Sequence, residues 1–157
     1  MRFLHTNIVA RNWRWVSQFY QRVFGCYPLD PRRNYEGTWI SAVVGMEGVQ
    51  IEGEHLACPG YDETGLTLEI FSYRPEGAAG PLAVNDRGFA HICFEVEDIP
   101  ATLARILQEG GSILSTFTHP EQERCVYTRD PEGNIVEIRL PRKERDTYRP
   151  LPCDFTS

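Results

Sequence analysis

The sequence has 157 residues, a formal net charge of −6, 41% hydrophobic residues and 24% charged residues. This length suffices for one ordinary domain or two small fused modules, and the acidic balance argues against nucleic acid or an anionic membrane surface as the main partner. No apolar run approaches the roughly 20 residues of a membrane span. The five cysteines never occur as C-x-x-C and predict a cytoplasmic protein with reduced thiols.

The first half of the chain predicts a strand, a helix and three strands. Residues 2–10 alternate between an apolar face and a face that carries His5. Apolar residues then recur with helical spacing between an N-cap at Asn12 and a stop at Gly25. The remaining segments are a proline-bearing connection over 26–34, strands over 38–44, 49–54 and 66–73, a turn over 45–48 and a loop over 58–65.

The second half repeats this order. Residues 88–96 predict a strand with His91 on its polar face, and Asp98 caps a helix that ends at two glycines, residues 110 and 111. Strand candidates follow over 112–118, 124–129 and 135–140, with the sequence DPEGN at 130–134 as a turn.

The two halves therefore form an internal repeat. It predicts an α+β fold of two βαβββ modules, which together form a curved mixed-sheet cleft with the helices outside. The modules cover residues 1–74 and 88–141, the linker 75–87, and an extended tail 142–157. The first module is longer, and the extra residues fall within 31–62.

Each module places a histidine in its first strand and a glutamate in its last strand, on the face away from the helix. These residues are His5 and Glu69 in the first module, and His91 and Glu137 in the second. If a pseudo-twofold axis relates the modules, the four side chains converge in one cleft. Two imidazoles and two carboxylates leave open positions on a divalent metal, and Ni, Zn, Fe, Co and Mn all suit them.

Other conspicuous side chains receive weaker predictions. Phe71 and Tyr127 are candidates for lining a substrate cleft, although packing in the core explains them equally well. His55 and His119 fall in loop-like contexts without repeat partners, so we expect no site role for either.

Three segments resemble the vicinal oxygen chelate superfamily, which includes glyoxalase I, methylmalonyl-CoA epimerase, extradiol dioxygenases and the fosfomycin and bleomycin resistance proteins. The segments are LHT at 4–6 leading to FY at 19–20 and VFG at 23–25, GFAHI at 88–92, and DPEGNIVE at 130–137. The order His, Glu, His, Glu is most similar to bacterial glyoxalase I.

The resemblance implies a metal-dependent lyase or isomerase acting on a small carbonyl or thioester substrate. In such enzymes a divalent metal stabilises an enediolate while a carboxylate, here Glu137 or Glu69, moves the proton. The alternatives are an epimerase-like isomerase, a binding or resistance protein without chemistry, and an extradiol-type dioxygenase. We also expect a homodimer, because modules of this kind expose sheet edges that another module must pair.

Overall fold

The computed structural model describes residues 2–61, 64–78, 80, 82–115 and 125–141. The predicted tail, His119 and the end of the predicted strand 112–118 lie outside these residues. The elements in chain order are β1 (His5–Val9), α1 (Trp13–Phe24), β2 (Tyr27–Tyr35), α2 (Thr38–Val44), β3 (Gln50–Ala57), β4 (Thr67–Arg74), β5 (Ile92–Glu95), α3 (Ile99–Gln108), β6 (Ser112–Ile113), β7 (Cys125–Arg129) and β8 (Ile135–Arg139). Among them, no helix is long and apolar enough to cross a membrane.

The strands form two four-stranded mixed sheets with the same internal order. The first sheet runs β1-β4-β3-β2 and the second runs β5-β8-β7-β6. In each sheet the first and last strands of the module are parallel neighbours, and the other pairs are antiparallel. The predicted α+β fold of two βαβββ modules is confirmed.

The helix signals in the sequence are borne out by the capping contacts. The Asn12 side chain accepts a hydrogen bond from the backbone N–H of Trp15 (3.3 Å), and Gly25 ends α1 in the left-handed conformation, with φ of 73°. Asp98 accepts a hydrogen bond from the N–H of Ala101 (2.9 Å) at the start of α3. These contacts satisfy N–H groups that the first turn of a helix leaves without partners.

A single apolar core joins the two modules. The inner faces of both sheets and one side of α1 and of α3 contribute to it, with Ile8, Phe19, Leu56 and Ile70 from the first module and Ile106, Val126, Val136 and Ile138 from the second. At its margin the partly buried rings of Phe24 in α1 and Phe94 in β5 stack with centroids 4.1 Å apart. The Tyr20 hydroxyl donates to Asp130, a buried carboxylate of the second module (3.3 Å).

The second module also supplies a cap for the first module's helix. The carboxylate of Glu132, in the turn between β7 and β8, accepts hydrogen bonds from the backbone N–H groups of Arg11 (2.6 Å) and Asn12 (2.7 Å). A negative charge at this position also interacts favourably with the helix dipole. The start of α1 therefore depends on contacts from both halves of the chain.

A buried carboxylate lies between α1 and the first sheet. Glu54 of β3 is 2% exposed. It accepts hydrogen bonds from the Ser17 hydroxyl and the Gln21 amide of α1, and from the guanidinium Nε of Arg32 in β2 (3.2 Å). The network compensates the cost of removing the carboxylate from water.

Two predictions in the first module are wrong. Residues 38–44, predicted as a strand, form the helix α2, and residues 26–34, predicted as a connection, lie mostly in strand β2. A short apolar run does not distinguish a strand from a buried helix by periodicity. The prolines of β2 are tolerated because this strand lies at the edge of its sheet.

Helix α2 covers part of the face of the first sheet that points away from α1. Its residue Ile40 is buried with Val49, Ile51 and Phe71 in a second apolar cluster. This cluster occupies one end of the face and leaves the other end, near the start of β4, to polar side chains. We call the outward-facing His5, Asn7, His55 and Glu69 the first polar face.

Candidate functional site

The first polar face begins with the predicted pair His5 and Glu69. The two strands that carry them are parallel, and Asn7 lies in register with Glu69. His5 Nε2 lies 3.4 Å from Glu69 Oε2, and the Asn7 side-chain amide lies 3.4 Å from the same oxygen. The alternate residues Ile8 and Ile70 are buried in the core. Alternation along the strands therefore brings the predicted pair together on the outer face.

His55 joins this pair, contrary to the sequence-based expectation. It lies in β3 directly in register with Glu69, and its Nε2 is 3.2 Å from Glu69 Oε1. Its side chain is 20% exposed and the Glu69 side chain 14%. The predicted strand ended at residue 54, three residues before the end of β3. A strand extended to residue 57 would have placed His55 on the same face as Ile51, beside the site.

The environment of His55 favours its neutral form. Burial lowers the pKa of the His55 imidazole, the negative charge of Glu69 opposes this, and the neighbouring Arg33 and His5 lower the pKa further. A neutral imidazole has one ring N–H, so Nε2 can donate to the Glu69 carboxylate. Glu69 is thus contacted by three side chains of its own module.

The second module repeats the pair with different neighbours. His91 Nε2 lies 3.1 Å from Glu137 Oε2. Cys93 in β5 and Tyr127 in β7 are in register with Glu137 on either side. The rings of His91 and Tyr127 lie edge to face, with centroids 5.1 Å apart. Tyr127 thus occupies the position that His55 has in the first module.

The neighbours of Glu137 are held in their protonated forms. Burial, followed by the charge of Glu137, raises the pKa of the Cys93 thiol to about 11. The same two causes raise the pKa of the Tyr127 hydroxyl. At neutral pH both groups are neutral, and they add no charge beside the carboxylate.

One chain does not bring the two pairs around one point. Both pairs lie on faces turned away from the shared core, and among the described residues no group of three or more His, Cys, Asp or Glu side chains is arranged to hold a metal ion. Imidazole nitrogens and carboxylate oxygens are nevertheless the donors that Ni, Zn, Fe, Co and Mn accept. The donor types fit a divalent metal, and the four-residue metal site remains a prediction.

Phe71 lies at the boundary between the two ends of this face. Its side chain is packed in the second apolar cluster and the residue is 6% exposed. Its ring is 5.8 Å from that of His55. Of the two residues predicted to line a cleft, Phe71 is buried and Tyr127 is partly exposed.

Comparison with known proteins shows which family the chain belongs to. The model of the Glyoxalase/Bleomycin resistance protein/Dioxygenase superfamily matches residues 2–138. The chain belongs to this superfamily.

Three similar proteins show the range of the superfamily. A lactoylglutathione lyase of Schizosaccharomyces pombe (strain 972) is 22% identical over 139 residues, and the match covers 85% of this chain and 45% of that protein. The chain thus spans about half the length of this relative. A glyoxalase family protein from Bacillus cereus has a TM-score of 0.77 with 22% identity, covering 90% of this chain and 95% of its own.

The third is a mutant of the fosfomycin resistance protein FosX from Listeria monocytogenes, in complex with Mn(II) and 1S,2S-dihydroxypropylphosphonic acid. Its TM-score is 0.55 with 15% identity, and the match covers 90% of each chain. At these identities the two solved structures support the fold alone.

Proposed function

We propose that the protein is a metal-dependent lyase or isomerase of the glyoxalase I type. In this proposal His5, Glu69, His91 and Glu137 bind a divalent Ni, Zn, Fe, Co or Mn ion. The substrate is a small carbonyl compound, such as a hemithioacetal, or a thioester. The main support is that a His–Glu contact recurs at equivalent positions of both modules, at 3.4 Å and 3.1 Å.

The two carboxylates are suited to different tasks. A bound divalent cation supplies Lewis-acid stabilisation of the negative charge that develops on a substrate oxygen. Glu69 is restrained by contacts from His5, Asn7 and His55. Glu137 has fewer such contacts, mainly with His91 and the Cys93 thiol. We therefore assign proton transfer on the substrate to Glu137 and a fixed binding role to Glu69.

We further propose that the complete site forms between two copies of the chain in a cytoplasmic homodimer. Each protomer would contribute His5 and Glu69 to one site, and His91 and Glu137 to the other. Both β1 and β5 lie at the edge of their sheets, where unpaired backbone groups favour pairing with another strand. The described free cysteines suit a reducing compartment.

Elemental analysis of the purified protein, followed by metal reconstitution, tests the proposal. We expect a divalent metal near one per protomer and turnover of the methylglyoxal–glutathione hemithioacetal that EDTA abolishes and added metal restores. Glu137→Gln should abolish turnover. Glu52→Gln, which removes a carboxylate from the opposite face of the first sheet, should have little effect, because the ion-pair partner of Glu52 among the described residues is the exposed Arg14.

Several outcomes would contradict the proposal. A protein that neither contains nor takes up a divalent metal is not an enzyme of this type. A protein that binds metal, converts no hemithioacetal or acyl-CoA thioester, and consumes oxygen with catechols is a dioxygenase. Ligand binding that survives His91→Ala without turnover indicates a binding or resistance protein.

A further inference from the structure

We propose that Arg33 binds an anionic group of the substrate, a carboxylate or a phosphate, beside the first polar face. This inference rests on the proposed function, because it assigns the substrate class of the same site. It concerns a residue of β2 that stood out neither in the sequence pattern nor among the predicted ligands.

The neighbours of Arg33 on β2 fix the side of the sheet on which it lies. The next residue but one, Tyr35, packs edge to face on Phe71, with ring centroids 6.5 Å apart, on the outer face. The preceding residue, Arg32, reaches the opposite face and pairs with the buried Glu54. Because side chains alternate along a strand, Arg33 lies on the outer face with His55 and Glu69.

The guanidinium of Arg33 carries a charge that no described carboxylate neutralises. It donates a hydrogen bond to the backbone carbonyl of Pro31, and none of the described Asp or Glu side chains forms an ion pair with it. The residue is partly buried, and its charge is close enough to act on His55. A partly buried cation of this kind can form charge-assisted hydrogen bonds with an added oxyanion.

The spacing of the sheet sets the size of the expected substrate. Arg33 pairs with Gly53, two residues from the His55–Glu69 row and two strands away from β4. With about 4.8 Å between strands and about 3.3 Å per residue, the Arg33 and Glu69 Cα atoms are about 12 Å apart. Arg33 donates to the Pro31 carbonyl, and Pro31 lies between Arg33 and Leu29, the residue of β2 that is in register with His55. The anionic group therefore lies only a few bonds from the reacting oxygens.

The kinetic test uses two matched substrates of the metal-reconstituted protein. These are the methylglyoxal hemithioacetals of 3-mercaptopropanoate, which carries a carboxylate, and of 3-mercaptopropanol, which is neutral. We expect wild type to prefer the carboxylate substrate in kcat/KM by about 10- to 100-fold, as expected for hydrogen bonds to a charged group. Arg33→Gln should remove the preference, and Arg33→Lys should retain most of it.

Arg14→Gln provides the matched control, since Arg14 is exposed, pairs with Glu52 on the opposite face and carries the same charge. It should keep the wild-type preference. Equal turnover of both substrates by wild type, or a preference that survives Arg33→Gln, would overturn the role of Arg33 without affecting the proposed function.

A second measurement does not depend on turnover. In protein labelled with ¹⁵N-arginine, the Arg33 side-chain resonance, assigned from Arg33→Lys, should shift and saturate on titration with acetate or methylphosphonate. The stronger of these two probes identifies a carboxylate or a phosphate as the preferred group. If neither hemithioacetal is converted, the proposed function fails, and this titration alone decides the role of Arg33. A change in resonance position that does not saturate and is shared by all arginines would refute the role of Arg33.

Discussion

Breaking the contact between Arg32 and Glu54 should destabilise the protein more than breaking a shorter ion pair at the surface. Glu54 is almost completely buried, with a side chain 3% exposed, whereas that of Arg32 is 72% exposed. The comparison pair is Arg22 and Glu109, which joins α1 to the end of α3 at 3.0 Å with side chains 61% and 21% exposed. The two pairs differ mainly in the burial of the carboxylate.

The expected coupling energy of each ion pair follows from this difference in burial. Exposed pairs contribute about 0.2–1 kcal/mol, and removing one partner of a fully buried pair costs about 3–5 kcal/mol. For Arg32 and Glu54 we expect a coupling energy of about 2 kcal/mol, because only the carboxylate is desolvated and Ser17 and Gln21 still donate to it. For Arg22 and Glu109 we expect less than about 1 kcal/mol.

Two double-mutant cycles measure these energies. The variants are Arg32→Ala, Glu54→Gln and their combination, and Arg22→Ala, Glu109→Gln and their combination, each unfolded in urea. A coupling of 2 kcal/mol corresponds to about 1 M in the urea midpoint at an m-value of about 2 kcal/mol/M. Equal couplings, or a larger one for the shorter surface pair, would show that burial of the carboxylate does not determine the strength of the interaction.

Three further predictions concern the metal, the first sheet and pH. His5→Ala should lower metal affinity by at least about 100-fold and His55→Ala by about 10- to 100-fold, measured by competition with a chelator. The smaller effect is expected because His55 contacts the carboxylate of Glu69 and orients it without binding the metal itself; equal effects would contradict these roles. Gly53→Ala should cost at least about 3 kcal/mol of unfolding free energy, because a Cβ there would lie 2.1 Å from a backbone oxygen of β4. Gly77→Ala is the control: a Cβ at Gly77 would meet nothing within 4 Å, so the unfolding free energy should change by less than about 0.5 kcal/mol. Burial raises the pKa of Asp130 above 3.8, so protonated Asp130 stabilises the folded protein below pH 3.8, and this contribution is lost as the pH rises through the raised pKa. In urea unfolding, wild type should lose stability relative to Asp130→Asn over this pH range. The opposite slope would refute the assignment.

The sequence predicted the features that depend on local periodicity. Alternation along the strands placed His5, Glu69 and Glu137 on faces opposite to the helices. The predicted strand over 88–96 is shorter in the structure, and His91 contacts Glu137 from the position directly before β5. The parallel pairing of the first and last strands then brought each pair into contact. Caps such as Asn12 were also correct, because they involve residues only a few positions apart.

The features that the sequence did not predict depend on contacts between distant residues. The helix formed by residues 38–44 is stabilised by burial against Phe71, which follows it by many residues. His55 was missed because the predicted strand ended at residue 54, whereas β3 continues to Ala57. Even a one-residue error at the end of a strand removes a side chain from the predicted face. Periodicity along the strands also does not determine where the two pairs lie relative to each other, and the described residues do not gather them into one cluster.

The hydrogen bonds that Glu132 accepts from the start of α1 also bear on whether the two modules can exist apart. The two modules repeat one order of elements, but the second module supplies the cap for the first module's helix. Truncation within the linker would remove this cap along with half of the common core. Neither half alone would keep both the cap of α1 and a complete core, so the two halves are expected to fold and unfold as one unit.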